Sequence, residues 1–270
     1  MRIARIAVAI GAVVFAAFPF VWMLSSAFKP EPELLALHPA LLPAHPTLEH
    51  FRTALGAAGL GRAFINSIAV ALLTTVATLA VAAPAAYAFA RYEFRGRGLF
   101  AGTMLGVQFF PLIALLLPLF LILRSLHLLN TYAGLTLAYL AFTVPLVIWL
   151  LHGFFQGVPR SIEDAARIDG LSEAATFWRI AVPLAAPGIA AAAIYAFISA
   201  WDEFMLALVI MQSPDMQTLP VALAGFISEF SVDWGGVMAA ATLFSVPAII
   251  IFLAIEKHLT GGVAGGAVKG

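Results

Sequence analysis

Residues 157–189 read GVPRSIEDAARIDGLSEAATFWRIAVPLAAPGI, a polar stretch that lies between two apolar segments. Ser161 and Asp164, three residues apart, predict a capping box, in which the two side chains satisfy free backbone N–H groups at a helix start. Gly170 is expected to close this helix, and a second helix is expected over residues 172–183, capped by its first serine and ended by its last proline. The stretch therefore predicts two short helices joined at a glycine.

Two roles fit a pair of short helices between apolar segments. One is a docking element for another protein, and the other is an amphipathic pair on the membrane surface, which needs basic residues on its polar face. Acidic side chains outnumber basic ones here: Glu163, Asp164, Asp169 and Glu173 against Arg160, Arg167 and Arg179. This balance disfavours an anionic lipid surface and favours the docking role.

The composition indicates a protein embedded in a membrane. The chain is 63% hydrophobic and 10% charged over 270 residues, which is far from the balance of a soluble domain. A helix needs a run of about 20 apolar residues to cross the hydrocarbon core. Six such runs are present, at residues 6–28, 65–90, 99–123, 132–155, 187–211 and 237–255. The sequence therefore predicts an all-α integral membrane protein with six transmembrane helices.

The basic residues predict the orientation in the membrane. Six spans place both termini on one side, and ten of the fourteen lysines and arginines fall on that side: Arg2, Arg5, Arg91, Arg95, Arg97, Arg160, Arg167, Arg179, Lys257 and Lys269. Cytoplasmic loops carry an excess of basic residues. We therefore expect both termini and the loop at residues 157–186 in the cytoplasm.

The spacing within that loop is typical of a known family. Residues 164–166 read DAA, Gly170 follows after three residues, and Ile180 precedes a VP pair at residues 182–183. This pattern resembles the EAA loop of ABC importer permeases, the cytoplasmic element that fits into a cleft on the ATPase subunit. The first acid is Asp where the family usually has Glu, and the VP pair has Val where the family usually has Leu; both changes keep charge or apolarity. The resemblance implies that the ATPase-coupling residues are Glu163, Asp164, Ala165, Ala166, Asp169, Gly170, Ile180 and Pro183.

Further segments resemble the carbohydrate-uptake branch of these permeases, and specifically the smaller of two maltose-type membrane subunits. They follow the family order over nearly the whole chain, at residues 19–24, 28–30, 46–51, 66–67, 86–96, 128–131, 201–204, 218–221 and 266–270. The resemblance implies a type I ABC importer permease fold in a bacterial-type cytoplasmic (inner) membrane. It also implies a heterodimer with a second permease, two ATPase subunits that hold ATP and Mg, and a solute-binding protein outside. No cofactor is expected on this chain.

Three regions are expected along the chain. Residues 1–62 would form the first transmembrane helix and an outer loop, and residues 63–256 the ABC type-1 permease core with its EAA loop at 157–186. Residues 257–270 would form a cytoplasmic tail. By resemblance the tail would lie near the ATPase pair, and a flexible glycine tail without that contact is the alternative.

An acidic pair in the fifth span suggests where a solute passes. Asp202 and Glu203 are adjacent acids in an apolar run, and carboxylates in a bilayer usually face a cavity or a partner. Trp201 and Phe204 flank them, and aromatic faces beside carboxylate acceptors suit sugars. We expect Trp201, Asp202 and Phe204 to line the path, with Glu203 and Gln108 as further polar candidates. A wetted acid with an interfacial tryptophan anchor is the alternative.

Other function classes fit the sequence less well. A membrane hydrolase would need its acid and base to reach one substrate, and helix neighbours such as Asp202 and Glu203 point about 100° apart. An ion-coupled transporter usually needs several buried charges along its path. The glycine-rich end has Ala267 where a phosphate-binding loop needs Lys, so ATP hydrolysis is expected on another polypeptide.

The sequence indicates the class of the solute and the absence of some partners. The spans carry almost no basic residues away from their ends, which favours a neutral di- or oligosaccharide over a glycerol phosphate; a polyol stays open. The formal net charge is zero, so no nucleic-acid partner is expected. His38, His45 and His50 share one loop without completing a recognisable metal spacing, so no metal site is expected.

Overall fold

The computed structural model describes residues 2–56, 59–227 and 232–266. Within these ranges the chain forms helices, turns and loops, and no β-strand, which confirms the predicted all-α class. The helices, numbered in chain order, are α1 (Arg2–Ala27), α2 (Glu31–Leu34), α3 (Glu49–Gly56), α4 (Leu60–Arg91), α5 (Arg97–Phe109), α6 (Leu112–Ser125), α7 (Tyr132–Gly157), α8 (Arg160–Ile168), α9 (Glu173–Thr176), α10 (Val182–Leu184), α11 (Ala186–Trp201), α12 (Met205–Ile210), α13 (Leu219–Ala224) and α14 (Trp234–Gly266). A π-helical turn, Phe177–Ala181, follows α9, and a 3-10 turn, Pro214–Met216, follows α12.

The chain divides into two compact units. The first unit comprises Met1–Phe64 and Thr218–Ala248, and the second comprises Ile65–Gln217 and Ile249–Gly270. The boundary expected after residue 62 lies two residues from the end of Met1–Phe64. The first unit also contains Thr218–Ala248, which falls within residues 63–256, the range expected for the permease core. At the other end, α14 continues as far as Gly266, and residues 267–270 of the expected tail lie outside the described residues.

Several helices are long and apolar enough to cross a membrane. Among the described residues four qualify singly, and six spans result if each of two bent helix pairs counts as one. The single helices contain the segments Arg5–Ala27, Leu60–Arg91, Tyr132–Gly157 and Trp234–Ile251. The bent pairs are Arg97–Phe109 with Leu112–Ser125, and Glu173–Leu184 with Ala186–Trp201.

The third predicted span is not one continuous helix. α5 and α6 meet at an angle of 102°. Pro111 lacks the N–H that would continue the helix, and it forces the residue before it away from helical geometry; Phe110 accordingly has φ −72° and ψ 128°. The apolar run expected to span the membrane at residues 99–123 is therefore a bent pair of helices, and the proline at the bend is visible in the sequence.

In the first unit, the segment after α1 folds back on the end of that helix. The Ser25 hydroxyl donates to the Leu41 carbonyl, and the Thr47 N–H donates to the Phe28 carbonyl at 2.8 Å. The Phe28 and Phe51 rings pack with their centroids 5.1 Å apart. These contacts give the segment a defined course, although residues 28–56 form only two short helices, α2 and α3.

The core of the second unit is built on small residues. Its buried members come from α4, α7, the π-helical turn, α11 and the residue before α11. They are Ala82, Ala83, Ala86, Tyr87, Ala90, Val147, Ile148, Leu151, Phe155, Phe177, Ala181, Ala185 and Ala192. Alanine and glycine let membrane helices approach closely. Tyr87 lies 5.5 Å from Phe155 and 5.1 Å from Phe177, centroid to centroid, so one aromatic cluster joins α4, α7 and the loop that precedes α11.

Candidate docking loop and solute cavity

The loop between α7 and α11 contains the two predicted short helices, but the first one starts differently from the prediction. α8 begins at Arg160 after Pro159, whose extended backbone (φ −60°, ψ 128°) sets the entry, and no side chain caps it. Ser161 therefore lies inside the helix, and the Asp164 carboxylate accepts from Arg167 at 2.8 Å instead. The predicted capping box was wrong because the proline already fixes the backbone before the helix.

The joint between the two helices matches the prediction. Gly170 has φ +88°, and the Leu171 N–H donates to the Ala166 carbonyl at 3.0 Å, which is the Schellman arrangement that closes a helix on a left-handed residue. The Ser172 hydroxyl accepts from the Ala175 N–H at 3.3 Å and so caps α9. The second helical segment ends at Leu184, one residue after the expected proline, and the chain then bends by 80° into α11.

Gly170→Ala is expected to loosen this joint. Its positive φ strains any residue with a Cβ, at a cost of about 1 kcal/mol or more, although no atom lies within 4 Å of the position of a new Cβ. We expect faster proteolysis of the loop in the purified variant, measured by limited digestion. Gly157→Ala is the control, because a Cβ there also meets nothing within 4 Å and φ is ordinary. The protease should cut this variant at the wild-type rate. Equal rates for both variants would contradict a constrained joint.

A buried ion pair holds α8 against the end of α4. Glu163 has no exposed surface, and its carboxylate accepts from Arg91 Nη2 at 2.7 Å and from Arg91 Nε at 3.0 Å. The Tyr87 hydroxyl donates to the same carboxylate at 3.0 Å. Arg91 Nη2 also donates to the Val158 carbonyl at 3.0 Å. Because several hydrogen bonds satisfy this pair, it fixes the position of α8 with a specific geometry.

A second, exposed network ties α8 to α9. Arg167 donates to Glu173 at 2.8 Å, and the Tyr92 hydroxyl donates to the same carboxylate at 2.9 Å. The Arg167 hydrogen bond lowers the pKa of Glu173 and raises that of Arg167, while the bond to Glu173 raises the pKa of Tyr92. The Glu173 interactions therefore stabilise the loop at neutral pH and are lost as the pH falls through the lowered pKa of Glu173.

The predicted coupling residues divide between the inside and the outside of the loop. Those exposed are Asp164, Ala165, Asp169, Gly170 and Pro183; Ile180 is half-buried, and Glu163 and Ala166 are buried. Ser161, Asp164, Ala165 and Ile168 follow helical spacing and form one exposed face of α8, which we call the α8 face. Ile168 on this face is 87% exposed. Sequence reasoning missed it, although its spacing of three and four residues from Ala165 and Asp164 indicates a shared helix face.

The chain breaks its helix again at the predicted acidic pair. α11 ends at Trp201 and α12 starts at Met205. The Glu203 carboxylate accepts from the Leu206 N–H at 2.8 Å and from the Ala207 N–H at 3.0 Å, and thus caps α12. The apolar run expected at residues 187–211 is therefore divided between α11 and α12, because an acidic side chain at this point satisfies the backbone donors of a new helix start.

A cavity of about 260 Å³ opens beside this break. It is lined by Val107, Gln108, Phe110, Leu112, Tyr139, Phe142, Thr143, Tyr195, Ser199, Glu203 and Leu206. The Tyr139 hydroxyl donates to Glu203 at 2.9 Å, and Gln108 Nε2 donates to the Phe142 carbonyl at 3.2 Å. α7 and α11 therefore place polar and aromatic side chains around one space, and α5 adds the polar Gln108.

The predicted path residues do not all meet at this cavity. Gln108 and Glu203 line it, whereas Asp202 and Phe204 are exposed and are not part of its lining. Trp201 has no exposed surface; its ring stacks on Phe197 at 5.8 Å between centroids. In this structure Trp201 therefore supports the end of α11 from within the helix packing.

Sequence reasoning missed four polar members of the lining, Tyr139, Thr143, Tyr195 and Ser199. Tyr195 and Ser199 lie four residues apart on α11, and Tyr139 lies on α7. Spacing of this kind marks one helix face, but similar pairs occur throughout these apolar segments. Within the described ranges, no group of three His, Cys, Asp or Glu side chains is placed to hold a metal ion.

Residues 80–264 match the family described as "Binding-protein-dependent transport system inner membrane component". A putative ABC transporter permease protein of Streptomyces antibioticus is 40% identical over 228 residues, which cover 84% of this chain and 100% of that protein. A diacetylchitobiose uptake system permease protein of Streptomyces coelicolor is 37% identical, over 94% of this chain and 92% of its own. A trehalose/maltose transport system permease protein of Thermococcus litoralis is 37% identical, over 98% of this chain and 97% of that protein.

A solved structure has the same fold. A chain in the crystal structure of a bacterial ABC transporter involved in the import of the acidic polysaccharide alginate aligns with a TM-score of 0.81. It is 24% identical, and the alignment covers 95% of this chain and 96% of that one. This likeness confirms the expected importer permease fold.

Proposed function

This chain belongs to the family of binding-protein-dependent transport system inner membrane components, and from that premise we propose that it forms half of the path of an ATP-driven sugar importer. It is a non-catalytic permease subunit. Relatives that match nearly its whole length are named as permeases for diacetylchitobiose and for trehalose and maltose. These names support a di- or oligosaccharide as the solute, and a polyol or glycerol phosphate is the alternative.

The observation that carries the coupling role is the α8 face. Four large apolar side chains are exposed in the loop at residues 157–186, and Ile168, at 87%, is the most exposed of them; the others are Ile162, Trp178 and Leu184. Beneath Ile168, the Arg91–Glu163 pair fixes the helix to the end of α4. A rigid helix that presents an apolar side chain between small and acidic neighbours suits insertion into a cleft of another protein. We therefore assign the α8 face as the contact with the ATPase subunit.

This assignment divides the roles of the expected coupling residues. Asp164 and Ala165 belong to the surface that would meet the ATPase, with Asp169 and Gly170 at its edge. Glu163 and Ala166 act from inside by holding α8 in place. Ile180 and Pro183 would transmit movement through the second helical segment into α11, which follows it after an 80° bend.

The full complex would contain partners on both sides of the membrane. We propose a heterodimer with a second permease, two ATPase subunits that bind ATP and Mg, and an extracytoplasmic solute-binding protein. Both termini and the loop with α8 would then lie in the cytoplasm, as the distribution of basic residues suggests. The chain's tail would lie near the ATPase pair.

The test is affinity purification of the tagged chain from detergent-solubilised membranes of its own host, with mass spectrometry of what accompanies it. We expect a second permease and an ATPase subunit with the wild type. Ile168→Asp should lower ATPase recovery more than about tenfold, because an apolar contact is lost and a charge is buried. It should leave the second permease bound.

Ile162→Asp is the matched control for this substitution. Ile162 lies on the same helix, is less exposed at 42%, and does not belong to the α8 face. Its variant should retain the ATPase. Loss of the ATPase in both variants, or in neither, would contradict the assignment of the α8 face. Recovery of the wild-type chain alone would refute the importer complex.

A further inference from the structure

We propose that the cavity between α5, α7 and α11 is a subsite for one uncharged sugar ring, and that its fixed carboxylate rejects anionic sugars. This inference rests on the proposed function of sugar import and deepens it. Relatives differ in the charge of the solute they are named for: one is named as a permease for sulfoquinovosyl glycerol, which is anionic, and others are named for the neutral sugars trehalose and diacetylchitobiose. The charge of the solute therefore has to be inferred from the residues that line the cavity, because the names of the relatives do not decide it.

The walls of the cavity combine aromatic faces with hydroxyl groups. Tyr139 and Phe142 come from α7, Tyr195 from α11, and Phe110 from the break between α5 and α6. Sugars present apolar C–H faces ringed by hydroxyls, so aromatic platforms with nearby polar atoms complement them. Tyr195 is 36% exposed, which leaves its ring and hydroxyl available to a solute.

Polar atoms with free capacity surround the same space. The Gln108 amide uses one N–H on Phe142, and it keeps a second N–H and its oxygen. No partner within the described residues engages the hydroxyls of Tyr195 and Ser199. The Thr143 hydroxyl, by contrast, is already occupied by Thr78 at 2.8 Å and by the Tyr139 carbonyl at 3.1 Å. Gln108, Tyr195 and Ser199 are therefore the groups that we assign to sugar hydroxyls.

Glu203 gives the cavity its charge preference. Its carboxylate accepts three hydrogen bonds, from the Tyr139 hydroxyl and from the backbone N–H groups of Leu206 and Ala207. Hydrogen-bond donors directed at both oxygens, two of them backbone N–H groups, suit a carboxylate. No Lys, Arg or His belongs to the lining, so nothing in the cavity compensates a phosphate, sulfonate or carboxylate on a solute. The fixed negative charge therefore repels anionic sugars and leaves neutral ones unaffected.

The size of the cavity limits what it holds. At about 260 Å³ it lies below the ~300–1,000 Å³ of usual ligand pockets. We therefore assign it to one ring, with the rest of a disaccharide outside it. Glu203 acts as a positioning residue in this arrangement, because it holds Tyr139 through a hydrogen bond and caps α12.

The experiment uses the complete transporter, purified with its partners and reconstituted in proteoliposomes, with ATP supplied. The neutral probes are trehalose, maltose and N,N′-diacetylchitobiose, and the anionic probe is trehalose 6-phosphate. Tyr195→Ala should lower kcat/KM for the accepted neutral sugar about tenfold, through loss of a stacked face. Ser199→Ala should lower it about threefold to tenfold, through loss of one hydrogen bond. Ser199→Lys should lower neutral uptake and raise the relative uptake of trehalose 6-phosphate.

Leu117→Ala is the control, since Leu117 is 66% exposed on α6 and does not line the cavity. Co-purification of the ATPase checks assembly in every variant. Uptake of neutral sugars that is unchanged by both Tyr195→Ala and Ser199→Ala would overturn the subsite. Equal wild-type uptake of trehalose and trehalose 6-phosphate would overturn the charge preference. An intact complex that carries none of the probes would refute the sugar assignment itself, and the subsite with it.

Discussion

Arg91→Ala is expected to destabilise the second unit strongly and to remove ATPase-coupled transport. The change removes the buried charge partner of Glu163: the two side chains are 5% and 1% exposed and 2.7 Å apart. The carboxylate then keeps only the more distant and partly exposed Arg167, at 3.7 Å. Breaking a buried pair by removing one member costs about 3–5 kcal/mol, a large part of the ~5–15 kcal/mol that stabilises a typical domain. The measurement is the thermal denaturation midpoint of the detergent-purified protein, with uptake measured in parallel.

Asp164→Ala is the matched control for this prediction. It also removes one member of an ion pair on α8, but Asp164 is 63% exposed, and exposed pairs contribute only about 0–1 kcal/mol. Its denaturation midpoint should stay close to that of the wild type. Equal midpoints for Arg91→Ala and Asp164→Ala would contradict the buried pair as the anchor of the loop.

A double variant separates stability from positioning. Replacing both members, as Arg91→Met with Glu163→Met, removes the uncompensated charge, and such replacements are often neutral or stabilising by about 1–4 kcal/mol. We expect the denaturation midpoint to recover. Uptake should stay low, because two flexible side chains do not reproduce the hydrogen-bonded geometry that fixes α8. Recovery of both quantities would mean that the pair contributes stability alone.

The docking loop shows what local sequence can and cannot predict. The joint at Gly170 was predictable because a left-handed residue after a helix is nearly always glycine, and this constraint lies within a few residues. The burial of Glu163 was not predictable, since its partner Arg91 lies 72 residues earlier. The acidic loop pattern alone made Glu163 look like a surface residue. Only the packing of α8 on α4 distinguishes it from the exposed Asp164.

The solute cavity was predictable in part for a similar reason. Glu203 and Gln108 stood out because polar groups are rare in these spans. Trp201 was expected beside them because it flanks the acidic pair in the sequence, but its side chain is fully buried and stacks on Phe197. Tyr195 and Ser199 could be assigned only when α7 was known to pack against α11.

Gly188→Val is expected to be the second most damaging substitution, because α11 packs on α7 at this residue. A Cβ at Gly188 would overlap the Cγ, Cδ2 and Cβ atoms of Phe154. The Phe154 ring could turn aside, but its Cβ is fixed to the α7 backbone, so the helices must move apart. Overpacking of this kind costs about 1–3 kcal/mol. The larger side chain of valine should destabilise the protein more than that of alanine would. The measurement is the denaturation midpoint of the purified protein.

Gly153→Val tests whether the effect belongs to this contact or to any bulky residue nearby. Gly153 precedes Phe154 on α7, and a Cβ there meets nothing within 4 Å, so its variant should keep a midpoint near that of the wild type. Phe154→Ala combined with Gly188→Val should regain part of the lost stability, because it removes the ring, whereas the overlap with Cβ persists. Since α7 and α11 also carry Tyr139 and Tyr195, separating these helices should lower sugar uptake. A Gly188→Val protein that is as stable and as active as Gly153→Val would contradict the close contact between α7 and α11 at Gly188 and Phe154.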